Sequence, residues 1–139
     1  MATLKINLAY NDDREYTALN ASGNEVPIDM HPREEKQAMS PMELLLSGLI
    51  SCAAVDIALM VKKRRKTLLD LKGEVVGTRR EEVPKKFTDI HIHYTITSPD
   101  LTDQEAERIV SLATTKYCSV AATINESTTI THDFTIVKA

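Results

Sequence analysis

Cys52 and Cys118 are the only thiols in this 139-residue chain, and neither sits in a segment that reads as ordinary core. Cys52 lies in Ser-Pro-Met-Glu-Leu-Leu-Leu-Ser-Gly-Leu-Ile-Ser-Cys-Ala-Ala, a helix-forming run that is apolar on nearly every side. Cys118 lies in Thr-Lys-Tyr-Cys-Ser-Val, just past the end of a second amphipathic run. Two thiols this far apart in sequence form one redox centre only if the fold stacks their segments. Buried structural cysteines behaving as small hydrophobes are the plainer alternative.

Composition narrows the chemistry. The length predicts a single domain over residues 1–139 with a sizeable core. Apolar residues make up 42% and charged residues 27%, as in soluble globular proteins. A net charge of −3 and the absence of Trp argue against a nucleic-acid binder, which needs a basic surface and stacking platforms. The first ten residues alternate apolar and polar types and do not resemble a secretory leader. Two cysteines without such a leader predict a reducing, cytoplasmic setting, where a disulfide is usually transient and catalytic. Residues 44–61 are apolar enough to raise the question of a membrane span, with Lys62 to Lys66 as a basic flank. Asp56 stands near the middle of that stretch, however, and would cost about 3 kcal/mol at a bilayer centre. The helix therefore reads as the centre of a soluble core or of a dimer.

The elements that must position the thiols follow from periodicity. Leu4, Ile6, Leu8 and Tyr10 alternate with polar residues and predict a first strand. Turns at Asn11-Asp12-Asp13 and Ser22-Gly23-Asn24 separate it from strands over 14–19 and 26–29, giving an antiparallel meander. After a charged loop over 30–39, Ser40 as N-cap, Pro41 at N1 and Glu43 at N3 form a capping box. The helix they open is expected to run to about Lys66. Strands are expected over 71–80 and 87–97, and Thr102 with Glu105 caps a second helix. A short helix follows Ser119, and a last strand covers 128–137. The fold class is α+β.

The strings Ser-Pro-Met-Glu-Leu-Leu-Leu-Ser-Gly-Leu-Ile-Ser-Cys, Phe-Thr-Asp-Ile-His-Ile-His-Tyr and Lys-Tyr-Cys-Ser-Val resemble the OsmC/Ohr family, particularly its OsmC-like branch. The similarity spans essentially the whole chain. It implies an intertwined homodimer with active sites at the subunit interface. It also implies thiol-dependent reduction of organic hydroperoxides, without metal, haem or flavin, completed by an external dithiol. On this resemblance Cys52 is the peroxidatic residue and Cys118 the resolving one. A peroxidatic thiol must ionise near neutral pH, although apolar burial opposes that, so a nearby cation is required.

Arg14 is the candidate cation, matching an Arg that the family carries in its first hairpin. Guanidinium stays charged and offers a fork of donors to thiolate and peroxide. Arg33 and Arg79 are fallbacks, and a solvated charge beside a turn is the bland reading. The family's Arg-orienting carboxylate directly follows the helix-opening proline, where this chain has Met42. Glu43 comes one residue later, about 100° around the helix, and about 900° from Cys52. It already has a structural task as N3 partner of Ser40, and Asp56, one turn beyond Cys52, is an alternative carboxylate. Two other classes compete with the enzyme. One is a metal-binding module built on His91 and His93, with His132-Asp133 nearby. The other is a non-enzymatic dimer that holds a small hydrophobic ligand.

Overall fold

The computed structural model describes residues 2–139; Met1, where the expected domain opens, lies outside them. By backbone contacts the chain divides into two compact units, Met1–Leu45 and Leu46–Ala139, with the boundary inside the long helix. The first unit is the expected meander: β1 (Ile6–Asp12), β2 (Glu15–Asn20) and β3 (Glu25–Asp29), antiparallel in that order. The β2–β3 turn is built by Asn20, whose side-chain oxygen accepts from the backbone N–H groups of Ser22 and Asn24. Gly23 has φ +85°, a left-handed conformation that glycine adopts without a Cβ penalty. Inside the charged loop a single 3-10 turn forms over Arg33–Glu35. Ile6, Leu8 and Tyr10 alternate as expected, yet each is about two-thirds exposed in the single chain.

The long helix α1 spans Pro41–Lys63. Its capping box is present: the Glu43 N–H donates to Ser40 Oγ at 3.3 Å, and Ser40 N donates to Glu43 Oε1 at 2.9 Å. The helix stops three residues short of the expected end. Arg65 takes a left-handed φ of 60°. Its N–H bonds Lys62 O while Lys66 N bonds Val61 O, a Schellman closure. Such a stop is normally signalled by glycine. Here an arginine fills the position, so composition gave no warning of it.

The second unit continues with β4 (Asp70–Arg79), β5 (Phe87–Thr97), α2 (Asp103–Leu112), α3 (Ser119–Ile124) and β6 (Thr129–Val137). β5 is the central strand, antiparallel to β4 and parallel to β6. Its even positions Ile90, Ile92, Tyr94 and Ile96 are buried, while His91 and His93 face the other side. From α1 only Leu49, Ala53, Ile57 and Val61 are fully buried, a stripe with i, i+4 spacing. Val55 and Leu59 remain about 60% exposed, although the helix reads as apolar all round. Thr102 caps α2 in a second capping box with Glu105, as expected.

Candidate active site

Cys52 lies mid-helix on α1, half-buried, and Cys118 lies between α2 and α3, buried at 2% exposure; both are free thiols. A π-helical stretch, Ala113–Tyr117, separates α2 from Cys118. Thr114 and Thr115 back-bond to Val110 O and Ser111 O through it. Its wider turn sets the direction in which Cys118 enters the core. Cys118 Sγ reaches Leu49 O of α1 at 3.9 Å and accepts from Ala121 N at 3.3 Å. Burial pushes the Cys118 thiol above its ordinary acidity range, and the adjacent Cys52 thiol adds to the rise, against the Ala121 N–H that lowers it. The fold therefore stacks the two thiol segments, as one redox centre requires.

Tyr94 was not singled out from sequence. Its hydroxyl donates to Ile50 O at 2.6 Å, in the same turn of α1 that leads to Cys52. Burial, followed by the two thiols, raises the phenol well above its usual range. The signal was a single polar tip in a row of buried isoleucines, since a buried phenol needs a partner.

Along α1, Asp56, Leu59 and Lys63 lie four, seven and eleven residues after Cys52, within about 40° of its direction. Asp56, Leu59 and Lys63 also line an open cavity of about 700 Å³, with Met60, Leu112, Tyr117 and the cations Arg64 and Arg108. The cavity thus continues the helix face that carries Cys52, and Tyr117 directly precedes Cys118.

Glu43 and Arg14 belong to the first unit. Glu43 Oε1 accepts from Lys36 Nζ at 2.6 Å and from both Ser40 N and Ser40 Oγ at 2.9 Å. Lys36 and then the Ser40 donors hold its carboxyl down to about 2. Arg14 sits in the β1–β2 turn, its N–H bonded to Asp12 Oδ1 at 2.7 Å and its carbonyl accepting from Met30 N at 2.8 Å. Flanking Asp12 and Glu15 both face His31, at 3.9 Å from Nε2 and 3.6 Å from Nδ1.

The His31 Nδ1–H donates at 2.8 Å to Asp29, a carboxylate with 2% exposure that also accepts from His31 N and Gln37 N. These N–H groups hold Asp29 at about 2. Asp29, then Asp12 and Glu15, raise His31 above 6.5. Stability from the raised imidazole is complete below 6.5 and is lost as pH climbs through its folded value. Stability from Asp29 is present above 3.8 and is lost as pH falls toward 2. The melting-temperature advantage of the wild type over His31→Gln should therefore be greatest between about pH 4 and 6.5 and shrink toward pH 9. Parallel thermal melts across that range check this, and a pH-independent difference would refute it.

On the outer face of the second sheet, Asp133 Oδ1 meets His91 Nε2 at 3.0 Å and His93 Nδ1 at 2.6 Å. The remaining ring nitrogens meet Thr131 and Thr135. All four nitrogens are thus engaged in a ladder across the parallel β5–β6 pair, and His132 is on the opposite face from Asp133.

The OsmC-like protein family model matches residues 34–133, a stretch that includes both cysteines. This chain belongs to the OsmC-like family. It is 36% identical over 120 residues to Protein YhfA of Escherichia coli K12, covering 86% of this chain and 88% of that one. To the Hydroperoxide reductase of Mycoplasma pneumoniae it is 26% identical over 98 residues, covering 68% and 69% of the two chains. Among solved structures, a hypothetical protein from Aquifex aeolicus superposes with TM-score 0.88 at 29% identity, covering 100% of this chain and 99% of that one. The OsmC-like fold expected from the sequence is thereby established, and with it a relationship to hydroperoxide reductases.

Proposed function

We propose that this OsmC-like protein is a thiol-dependent reductase of organic hydroperoxides, working as one 1–139 domain in a cytoplasmic homodimer. The observation that carries the reading is the pairing of a half-buried thiol, Cys52, with a fully buried one, Cys118, against the same stretch of α1. The more accessible sulfur suits attack on a peroxide and the sheltered one suits resolution. The Cys52 thiolate attacks one peroxide oxygen, the O–O bond breaks, and the departing alkoxide takes up a proton to leave as an alcohol. Cys118 then attacks the sulfenic acid, water leaves, and a disulfide forms. An external dithiol returns both sulfurs to thiols by two exchange steps. Arg14 is taken as the cation of the reaction on the family resemblance alone. Glu43 serves chiefly as the helix cap.

The apolar and cationic cavity along the Cys52 face supports organic over inorganic peroxides. The exposed faces of α1 and of the first sheet, carrying Val55 and Leu59, and Ile6, Leu8 and Tyr10, support a homodimer. The same cavity favours a second reading, in which the chain binds a hydrophobic ligand without turning it over. Stopped-flow consumption of an alkyl hydroperoxide, compared with hydrogen peroxide, decides between them. We expect faster consumption of the alkyl species, with both free thiols titrating away and an intrachain Cys52–Cys118 bond in the mass spectrum. Persistence of two free thiols under excess alkyl hydroperoxide favours the binder.

A further inference from the structure

The inner face of β5 is a row of isoleucines interrupted by one phenol. Tyr94 is 1% exposed, and its hydroxyl satisfies itself on Ile50 O, a carbonyl in the interior of α1, at 2.6 Å. The preceding carbonyl, Leu49 O, is the one that Cys118 Sγ approaches at 3.9 Å. Two successive carbonyls of one helical turn are thus held by side chains from different elements, and Cys52 lies two residues beyond the second. The phenol also lies within electrostatic range of both sulfurs.

Space for this arrangement is made on β4. Gly73 pairs directly with Tyr94 across the antiparallel ladder. A Cβ at Gly73 would lie 2.8 Å from Ile50 Cδ1 and 3.1 and 3.2 Å from two carbons of the Tyr94 ring. The missing side chain lets the ring and the Ile50 side chain share one slot.

We propose that Tyr94, seated in the slot left by Gly73, is a positioning residue for the Cys52–Cys118 pair. It ties the α1 turn before Cys52 to β5 and so holds the helix at the distance from Cys118 that disulfide closure needs. This rests on the redox reading above. A disulfide tolerates only a narrow range of Cα separations and torsions, so a small drift of one helical turn changes the ease of closure. Phenylalanine would refill the volume and remove the tether.

The test measures the thiol–disulfide equilibrium of the full chain against a dithiothreitol buffer, in the absence of peroxide. In Tyr94→Phe the equilibrium constant for forming Cys52–Cys118 should fall about tenfold, the order of one net buried hydrogen bond, while circular dichroism stays native. After excess alkyl hydroperoxide the same variant should carry more sulfinic acid on Cys52, because resolution is slower. The first oxidation, followed as a single turnover in a Cys118→Ser background, should be unchanged by adding Tyr94→Phe. A core role alone would lower the melting temperature and leave the equilibrium constant and sulfinic fraction as in the wild type; that result overturns the proposal. If Tyr94→Phe does not fold, Gly73→Ala, which keeps the phenol but displaces it, is held to the same criterion, and an unchanged constant there overturns it equally. A wild type that forms no such disulfide removes the redox reading as well. A wild type that forms it, with a variant that matches it, removes only the tether.

Discussion

Cys52→Ser should abolish hydroperoxide consumption, because a serine hydroxyl is far from ionised at neutral pH and cannot replace the thiolate nucleophile. Cys118→Ser should behave differently. It should complete one rapid turnover and then stall, with sulfenic and then sulfinic acid accumulating on Cys52. The asymmetry follows from the two environments. Cys118 is closed in by Leu49 of α1 and by its own helix α3, and burial pushes its thiol up, so it is poorly placed to meet a peroxide first. Cys52 is half-buried on the helix face that continues into the open cavity. Rapid-quench mass spectrometry separates the two variants. Sulfenic acid appearing first on Cys118 would reverse the assignment.

Arg14→Lys should slow peroxide reduction by about ten- to a hundredfold, or about 1.4–2.7 kcal/mol of transition-state stabilisation. An ammonium keeps the charge but cannot hold thiolate and peroxide in one planar fork. The turn itself should survive, since the Arg14 backbone is fixed by Asp12 and Met30 rather than by its side chain. Glu43→Gln serves as the control. Glutamine keeps the capping box, and the Lys36 ion pair it gives up is half-exposed on the Glu43 side and screened by solvent there, so stability should change by at most about 1 kcal/mol and the rate little. Thermal melts with single-turnover kinetics check both variants. A large rate loss in Glu43→Gln with an unchanged melting curve would move Glu43 from the cap to the reaction. An Arg14→Lys variant as fast as the wild type would remove Arg14 from it.

Much of this architecture was legible in the sequence because its signals are local. Alternation in β5 and the two capping boxes at Ser40 and Thr102 each depend on a few neighbouring residues, and each is found where it was expected. The end of α1 was not legible. Its left-handed residue is Arg65, and the closing bonds to Val61 and Lys62 depend on backbone geometry that composition does not encode. The buried stripe of α1 was hidden for a related reason. A helix apolar on all sides does not reveal which of its faces one copy of the chain covers, and the choice of Leu49, Ala53, Ile57 and Val61 is made by packing.

For the site, sequence alone supplied the candidate residues: two thiols, a turn arginine, and a glutamate with a capping task. It could not supply their surroundings. That Cys118 lies against Leu49, that Tyr94 reaches Ile50 O through the gap at Gly73, and that Asp12 and Glu15 both reach His31 are contacts between residues distant in the chain. The pKa direction of each group follows from those contacts, because desolvation and neighbouring charge exist only once the chain has folded. Residue chemistry was fixed by the sequence as written; proximity and burial, which turn two distant thiols into a pair, came from the tertiary structure.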